Sequence, residues 1–124
     1  MTPNPVRWFE IYVQDMPRAL RFYETVFATK LDRLPTEGLE MWAFPQAMGA
    51  SGAAGTLVKA PAGIASGGNS TLVYFAAADC AVEAARVEAA GGKVYRDKMS
   101  IGQYGFIALA QDPDGNMFGI HSLP

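Results

Sequence analysis

Glu10 and His121 are the side chains of this sequence best suited to proton chemistry. Residues 7–13 alternate, with Phe9, Ile11 and Val13 on one face and Trp8, Glu10 and Tyr12 on the other. An inward carboxylate among aromatic rings suits a general base or a hydrogen-bond acceptor, because desolvation strengthens its hold on a proton. It equally suits a structural role if Arg7, a lysine or a backbone amide satisfies it, since a buried charge needs a partner. His121 is the only histidine, and imidazole titrates near neutral pH without any perturbation. Close to Glu10 it would shuttle protons; otherwise it is a rim or interface residue near the C-terminus.

A second group of residues could surround a ligand rather than react with it. Trp8, Tyr12, Met41, Trp42, Tyr74, Met99 and Tyr104 have the make-up of an apolar pocket wall, and equally of a core or dimer contact. Residues 98–105, with two glycines, read as a lid or as a plain connection. Lys59, Arg96 and Lys98 would attract an anion or simply face water. Asn69, Ser70 and Thr71 would make polar contacts at a pocket mouth or cap a loop. Cys80 begins a helix but falls on its apolar stripe, which predicts a buried structural thiol rather than a reactive one.

The elements that position these residues recur in two copies. In the first, the strand ending at Val13 meets Asp15, a helix N-cap, with Pro17 tolerated in the first turn. The stripe Ala19, Phe22, Tyr23, Val26 and Phe27 follows, and the unit ends at Lys30-Leu31-Asp32-Arg33. Residues 39–44 and 55–59 read as further strands, and residues 60–70, with Pro61, Gly63, Gly67 and Gly68, as a loop. In the second copy, residues 71–76 form the strand and Asp79 caps a helix predicted to reach about Ala90, closed by Gly91-Gly92. Residues 94–96 make a short strand, residues 97–105 a loop, and residues 106–110 and 116–121 two strands around the turn Asp112-Pro113-Asp114-Gly115. The plan is βαβββ twice, an α+β chain of one domain in two modules at about residues 5–60 and 70–124.

Composition limits the function classes. The 124 residues are half apolar and 18% charged, which is globular and long enough for a core. A net charge of −2 argues against nucleic acid, whose phosphates require a basic stripe. No apolar run approaches the ~20 residues of a membrane span. The start, Met1-Thr2-Pro3-Asn4-Pro5, has no basic and apolar signal pattern. A single cysteine excludes an internal disulfide and a cysteine-cluster zinc site. A soluble, cytoplasmic protein is the expectation.

Three motifs carry a family resemblance over nearly the whole chain. They are Val13-Gln14-Asp15 with Ala19 and Phe22-Tyr23; Glu88-Ala89-Ala90-Gly91-Gly92-Lys93-Val94; and Asp112-Pro113-Asp114-Gly115-Asn116. In this order and spacing the chain resembles the vicinal oxygen chelate superfamily of glyoxalases, bleomycin-resistance proteins and dioxygenases. The resemblance implies paired βαβββ modules, a curved eight-stranded mixed sheet around a cavity, and a homodimer. It also implies a divalent metal held by His and Glu side chains, which leave positions open to substrate oxygens. Carried onto this sequence, the ligand positions fall at Trp8, at Leu72 or Val73, at Gly119 and at Leu57. None of these side chains binds a metal, so no cofactor is expected. Glu10 and His121 together would supply at best two ligands, below the three of a catalytic zinc site. Two functions remain: binding of a small apolar ligand, or lyase or isomerase chemistry in which Glu10 moves a proton next to a carbonyl.

Overall fold

The computed structural model describes residues 4–62, 67 and 70–124. Expectations placed on Met1, Thr2 and Pro3, on Gly63 and Gly68, and on Asn69 lie outside the described residues. The chain divides into two compact units, residues 8–71 (the first module) and residues 72–124 with residues 1–7 (the second). Together they hold eight strands and two helices with parallel and antiparallel pairing, an α+β fold.

In the first module, strand β1 (Val6–Val13) runs parallel to β4 (Ala54–Lys59), which pairs antiparallel with β3 (Met41–Ala43). Strand β2 (Asp32–Arg33) completes the order β2-β3-β4-β1. Helix α1 (Met16–Val26) opens at Asp15, whose extended backbone lets its carboxylate accept the Arg18 N–H at 3.1 Å. Met16 packs with Leu31 and Leu57, joined by Ile11, Val13, Ala19, Leu20, Tyr23, Trp42 and Phe44. The buried stripe is therefore Met16, Ala19, Leu20 and Tyr23, spaced i, i+3, i+4, i+7. Phe22 and Val26, which the sequence placed on that stripe, are 58% and 56% exposed. Burial of Met16 sets the phase of the helix and turns them away from the sheet. Phe27, beyond the last helical turn, is also exposed, with its ring stacked on Tyr23 at 6.4 Å.

In the second module the order is β5 (Thr71–Ala76), β8 (Met117–Ser122), β7 (Phe106–Gln111), β6 (Lys93–Ser100). Helix α2 spans only Cys80–Ala84, not the length to Ala90 that the pattern predicted. Beyond it the chain continues in turns: the Val87 N–H bonds to the Ala84 carbonyl at 3.2 Å, and the Gly91 N–H to the Glu88 carbonyl at 3.0 Å. These three-residue spans tighten the coil. Gly92 then presses against β7, where an added Cβ would stand 2.3 Å from the Gln111 carbonyl. Cys80, Ala84, Ala108 and Ile120 form the core, so the thiol is buried as expected.

Strand β6 is the other departure. It covers Lys93–Ser100 rather than residues 94–96, and its pairing with β7 shifts register twice. Bulges break the two-residue alternation by which strands are recognised, and the charges of this edge strand disguise it further. The expected loop shrinks to a 3-10 turn at Gly102–Tyr104 with its flanking residues. Met99 pairs with Ile107 inside the ladder, so residues 98–100 cannot hinge as a lid.

Candidate functional site

The β1 alternation does what the sequence implied. Register partners in neighbouring strands project from one face of a sheet. Glu10 pairs with Thr56, Tyr12 with Val58 and Trp8 with Ala54, while Met41 pairs with Val58 across β3. Trp8, Glu10, Tyr12, Met41, Thr56 and Val58 thus share the face opposite α1. Leu57, on the α1 face, is fully buried against Met16 and Leu31. That corrects its assignment as a ligand position, because a one-residue step along a strand changes the face. Trp42 packs on the same side as Leu57, and its indole donates to Glu40 at 2.9 Å. It therefore leaves the pocket wall.

Glu10 is 9% exposed. The Tyr12 hydroxyl donates to its Oε1 at 2.6 Å, and the Trp8 indole N–H donates to its Oε2 at 3.3 Å. These two partners are same-face neighbours two residues away. The short bond from Tyr12 is of the kind a charged acceptor makes.

In the second module, Tyr74 pairs with Gly119 and Ala76 with His121. Leu109 and Ile107 oppose Gly119 and His121 in β7, and Met99 opposes Ile107. Leu72, Tyr74, Met99, Gly119 and His121 therefore share the face opposite α2. Tyr74 is buried, and its ring lies where a side chain at 119 would begin: an added Cβ would be 2.2 Å from the ring. The third strand position of the expected metal site is thus covered by an aromatic ring. At the other positions, Leu72 offers only buried hydrocarbon, and the Trp8 N–H is committed to Glu10. Among the described residues, no three His, Cys, Asp or Glu side chains gather to hold an ion.

Both nitrogens of His121 are engaged. Nδ1 lies 3.2 Å from the Arg7 guanidinium and Nε2 lies 2.7 Å from the Tyr104 carbonyl. Guanidinium only donates and a carbonyl only accepts, so these contacts suit Nδ1 as the acceptor and Nε2 as the donor. A proton shuttle through His121 would have to break one of these bonds. Met99 and Tyr104 are 37% and 41% exposed. Lys98 is taken by Asp79 at 2.9 Å and lies 4.6 Å from the centre of the Phe106 ring. Lys59 donates to the Gln14 carbonyl.

Sequence reasoning missed two features. One is Thr56, which became visible as a neighbour of Glu10 only through the β1–β4 register. The other is an open groove of about 450 Å³ on the α2 side of the second module. Phe75, Phe118 and Ile120 floor it, and Val87, Ala90 and Pro113 wall it. None of the residues expected to line a ligand cavity borders this groove. It exists because α2 stops at Ala84 and brings no aromatic residue over the Phe75–Phe118 pair. In the first module, by contrast, Tyr23 of α1 covers Phe44 edge-on at 5.9 Å.

Two βαβββ modules, each with one sheet face turned from its helix, define a glyoxalase-like protein. The sequence model of the Glyoxalase/Bleomycin resistance protein/Dioxygenase superfamily matches residues 6–120, and the chain belongs to that superfamily. No curated protein matches the sequence. Among solved structures, methylmalonyl-CoA epimerase of Streptomyces coelicolor, in complex with 2-nitronate-propionyl-CoA, is similar with a TM-score of 0.69 at 17% identity. The match covers 98% of this chain and 99% of that one. The epimerase of Mycobacterium tuberculosis gives 0.68 at 15% identity, covering 97% and 88%. A hypothetical protein of Bacillus halodurans C-125 gives 0.69 at 13%, covering 96% and 94%. At these identities the likeness is one of fold.

Proposed function

We propose that this chain binds a small, largely apolar molecule, without a metal, on the first-module face that carries Trp8, Glu10, Tyr12 and Met41. One observation carries the reading: a carboxylate only 9% exposed is held between an indole N–H and a phenol on the sheet face turned from α1. An apolar wall with a few fixed polar groups is the usual make-up of a small-molecule site. Glu10 is the polar anchor. In the second module, Arg7 and the Tyr104 carbonyl hold His121 in place. Trp8, Leu72 and Gly119 do not fit a chelated ion, so binding and any chemistry rest on side chains alone. The protein acts in the cytoplasm as a homodimer, for which sedimentation would give twice the 13.3 kDa of the chain. The exposed Phe22, Val26 and Phe27 support that assembly.

The two tryptophans supply the test. The Trp8 indole belongs to the proposed site, and the Trp42 indole, bonded to Glu40 on the α1 side, is an internal control. Titration with 2-acetylnaphthalene, an aromatic ketone, is expected to move the Trp8 indole N–H resonance saturably and leave that of Trp42 in place. Equal movement of both, or of neither, would sink the reading.

A second reading makes Glu10 a base that removes a proton next to a carbonyl. The Tyr12 hydroxyl 2.6 Å from Oε1 favours it, because that donor fixes the carboxylate's orientation. Two of the similar folds are epimerases named for methylmalonyl-CoA, which makes that thioester the first substrate to try. The proton at its acidic carbon would pass to Glu10 and return from solvent. Incubation in D2O would then place deuterium at that carbon, and Glu10→Gln would abolish the exchange while sparing ketone binding. Exchange that persists in Glu10→Gln removes Glu10 from the mechanism.

A further inference from the structure

The Thr56 hydroxyl is fully buried and, among the described residues, has no hydrogen-bond partner. Such a group is uncommon in a folded chain, because burial strips its water and nothing replaces it. Its position sharpens the matter. Thr56 pairs with Glu10 on one side and with Ala43 on the other, so its side chain projects from the same face as Glu10, one strand away. A valine at 56 would fill nearly the same volume and satisfy a strand equally well. The hydroxyl therefore costs the free chain stability and gives the sheet nothing in return.

We propose that Thr56 is a second polar contact of the ligand, donating its hydroxyl hydrogen to a ligand oxygen while Glu10 holds or takes the neighbouring hydrogen. This rests on the reading of the Glu10 face as the binding face, and it narrows the ligand to a class: an apolar molecule with a carbonyl oxygen. With no exposed area of its own, Thr56 marks the floor of the site, reached when the side chains above it part around the ligand. A buried donor that loses its partner discriminates strongly against an analogue lacking the oxygen.

The experiment compares 2-acetylnaphthalene with 2-ethylnaphthalene, its hydrocarbon counterpart, in the wild-type chain, Thr56→Val and Thr56→Ser. The wild type is expected to prefer the ketone. Thr56→Val is expected to bind the ketone about tenfold more weakly, in the range of one lost hydrogen bond, and the hydrocarbon unchanged. Its ligand-free Tm is expected to rise by about 4 °C, because the unpartnered hydroxyl is gone. Thr56→Ser, which keeps the hydroxyl, is expected to retain ketone affinity. Ketone binding by Thr56→Val equal to that of the wild type overturns the proposal and leaves the binding face standing. So does a ligand-free Tm that falls in Thr56→Val, which would assign the hydroxyl to structure or to an ordered water. If the wild type moves the Trp8 resonance with neither compound, the binding face itself fails and the Thr56 role with it.

Discussion

Gly119 and Tyr74 act as one unit at the scale of single residues. The buried phenol ring occupies the space into which any side chain at 119 would grow, with a built Cβ only 2.2 Å away. Gly119→Ala should therefore destabilise the chain by about 1–3 kcal/mol, the usual cost of overpacking, read as a lower urea midpoint. In a Tyr74→Ala background the same substitution should cost little, because the obstruction is gone. A full cost in both backgrounds would place the strain elsewhere. Sequence showed that Gly119 could not chelate, but not what filled the space, since the β5–β8 register joins residues 45 positions apart in the chain. The inward position of Glu10 was legible from alternation alone. Two of its bonds come from an indole and a phenol on the same strand face, groups that a charged residue does not suggest as partners. The Arg7–His121 bond, between residues 114 apart, left no trace in either neighbourhood.

Asp79 joins two elements. It caps α2 through the Ala81 N–H at 3.0 Å and receives the Lys98 ammonium of β6 at 2.9 Å. The Lys98 hydrogen bond first, and the Ala81 N–H second, hold the Asp79 carboxyl below its ordinary value of 3.8. Asp112 is lowered in the same way by Asn116, from its side chain and its backbone N–H, in the turn before β8. A carboxyl depressed in the folded chain stabilises it above its unfolded pKa, and that support is lost as pH falls through the folded value. Stability should hold through neutral pH and decline below about pH 4. Asp79→Asn keeps a capping acceptor but cannot change charge, so its urea midpoint should fall less steeply between pH 5 and pH 3, a window set by those ordinary carboxyl values. An unchanged slope would show that the bridge to Lys98 contributes nothing. The caps themselves were legible, because Asp before an apolar stripe has a mechanism. The length of α2 and the extent of β6 were not. One depends on Gly92 meeting the Gln111 carbonyl, the other on bulges that erase alternation.

For the molecule as a whole, the doubled plan was the readable part: the superfamily match over residues 6–120 and the paired modules both follow it. Local signals, a cap, a stripe and a glycine turn, repeat at similar spacing, and such signals survive without knowledge of tertiary contacts. Faces are harder to read than elements, as Leu57 and Trp42 illustrate, because a one-residue error in register inverts every side chain of a strand. The same sensitivity makes metal binding a test of the whole assignment. If Trp8, Leu72 and Gly119 stand where this scaffold elsewhere places chelating groups, the chain should carry no stoichiometric Zn, Ni, Mn or Fe after purification. Elemental analysis reads this directly. Thermal unfolding gives an independent readout, because an ion bound only by the folded state stabilises it by about 2.7 kcal/mol at a hundredfold excess over Kd. For a domain of this size that corresponds to a rise in Tm of about 10 °C. Added Zn2+, Ni2+, Mn2+ or Fe2+ should leave Tm within a degree or so, and a chelator should do the same. A large shift with one of these ions would mean that other side chains converge where these three do not, and the metal-free reading of the Glu10 face would fall.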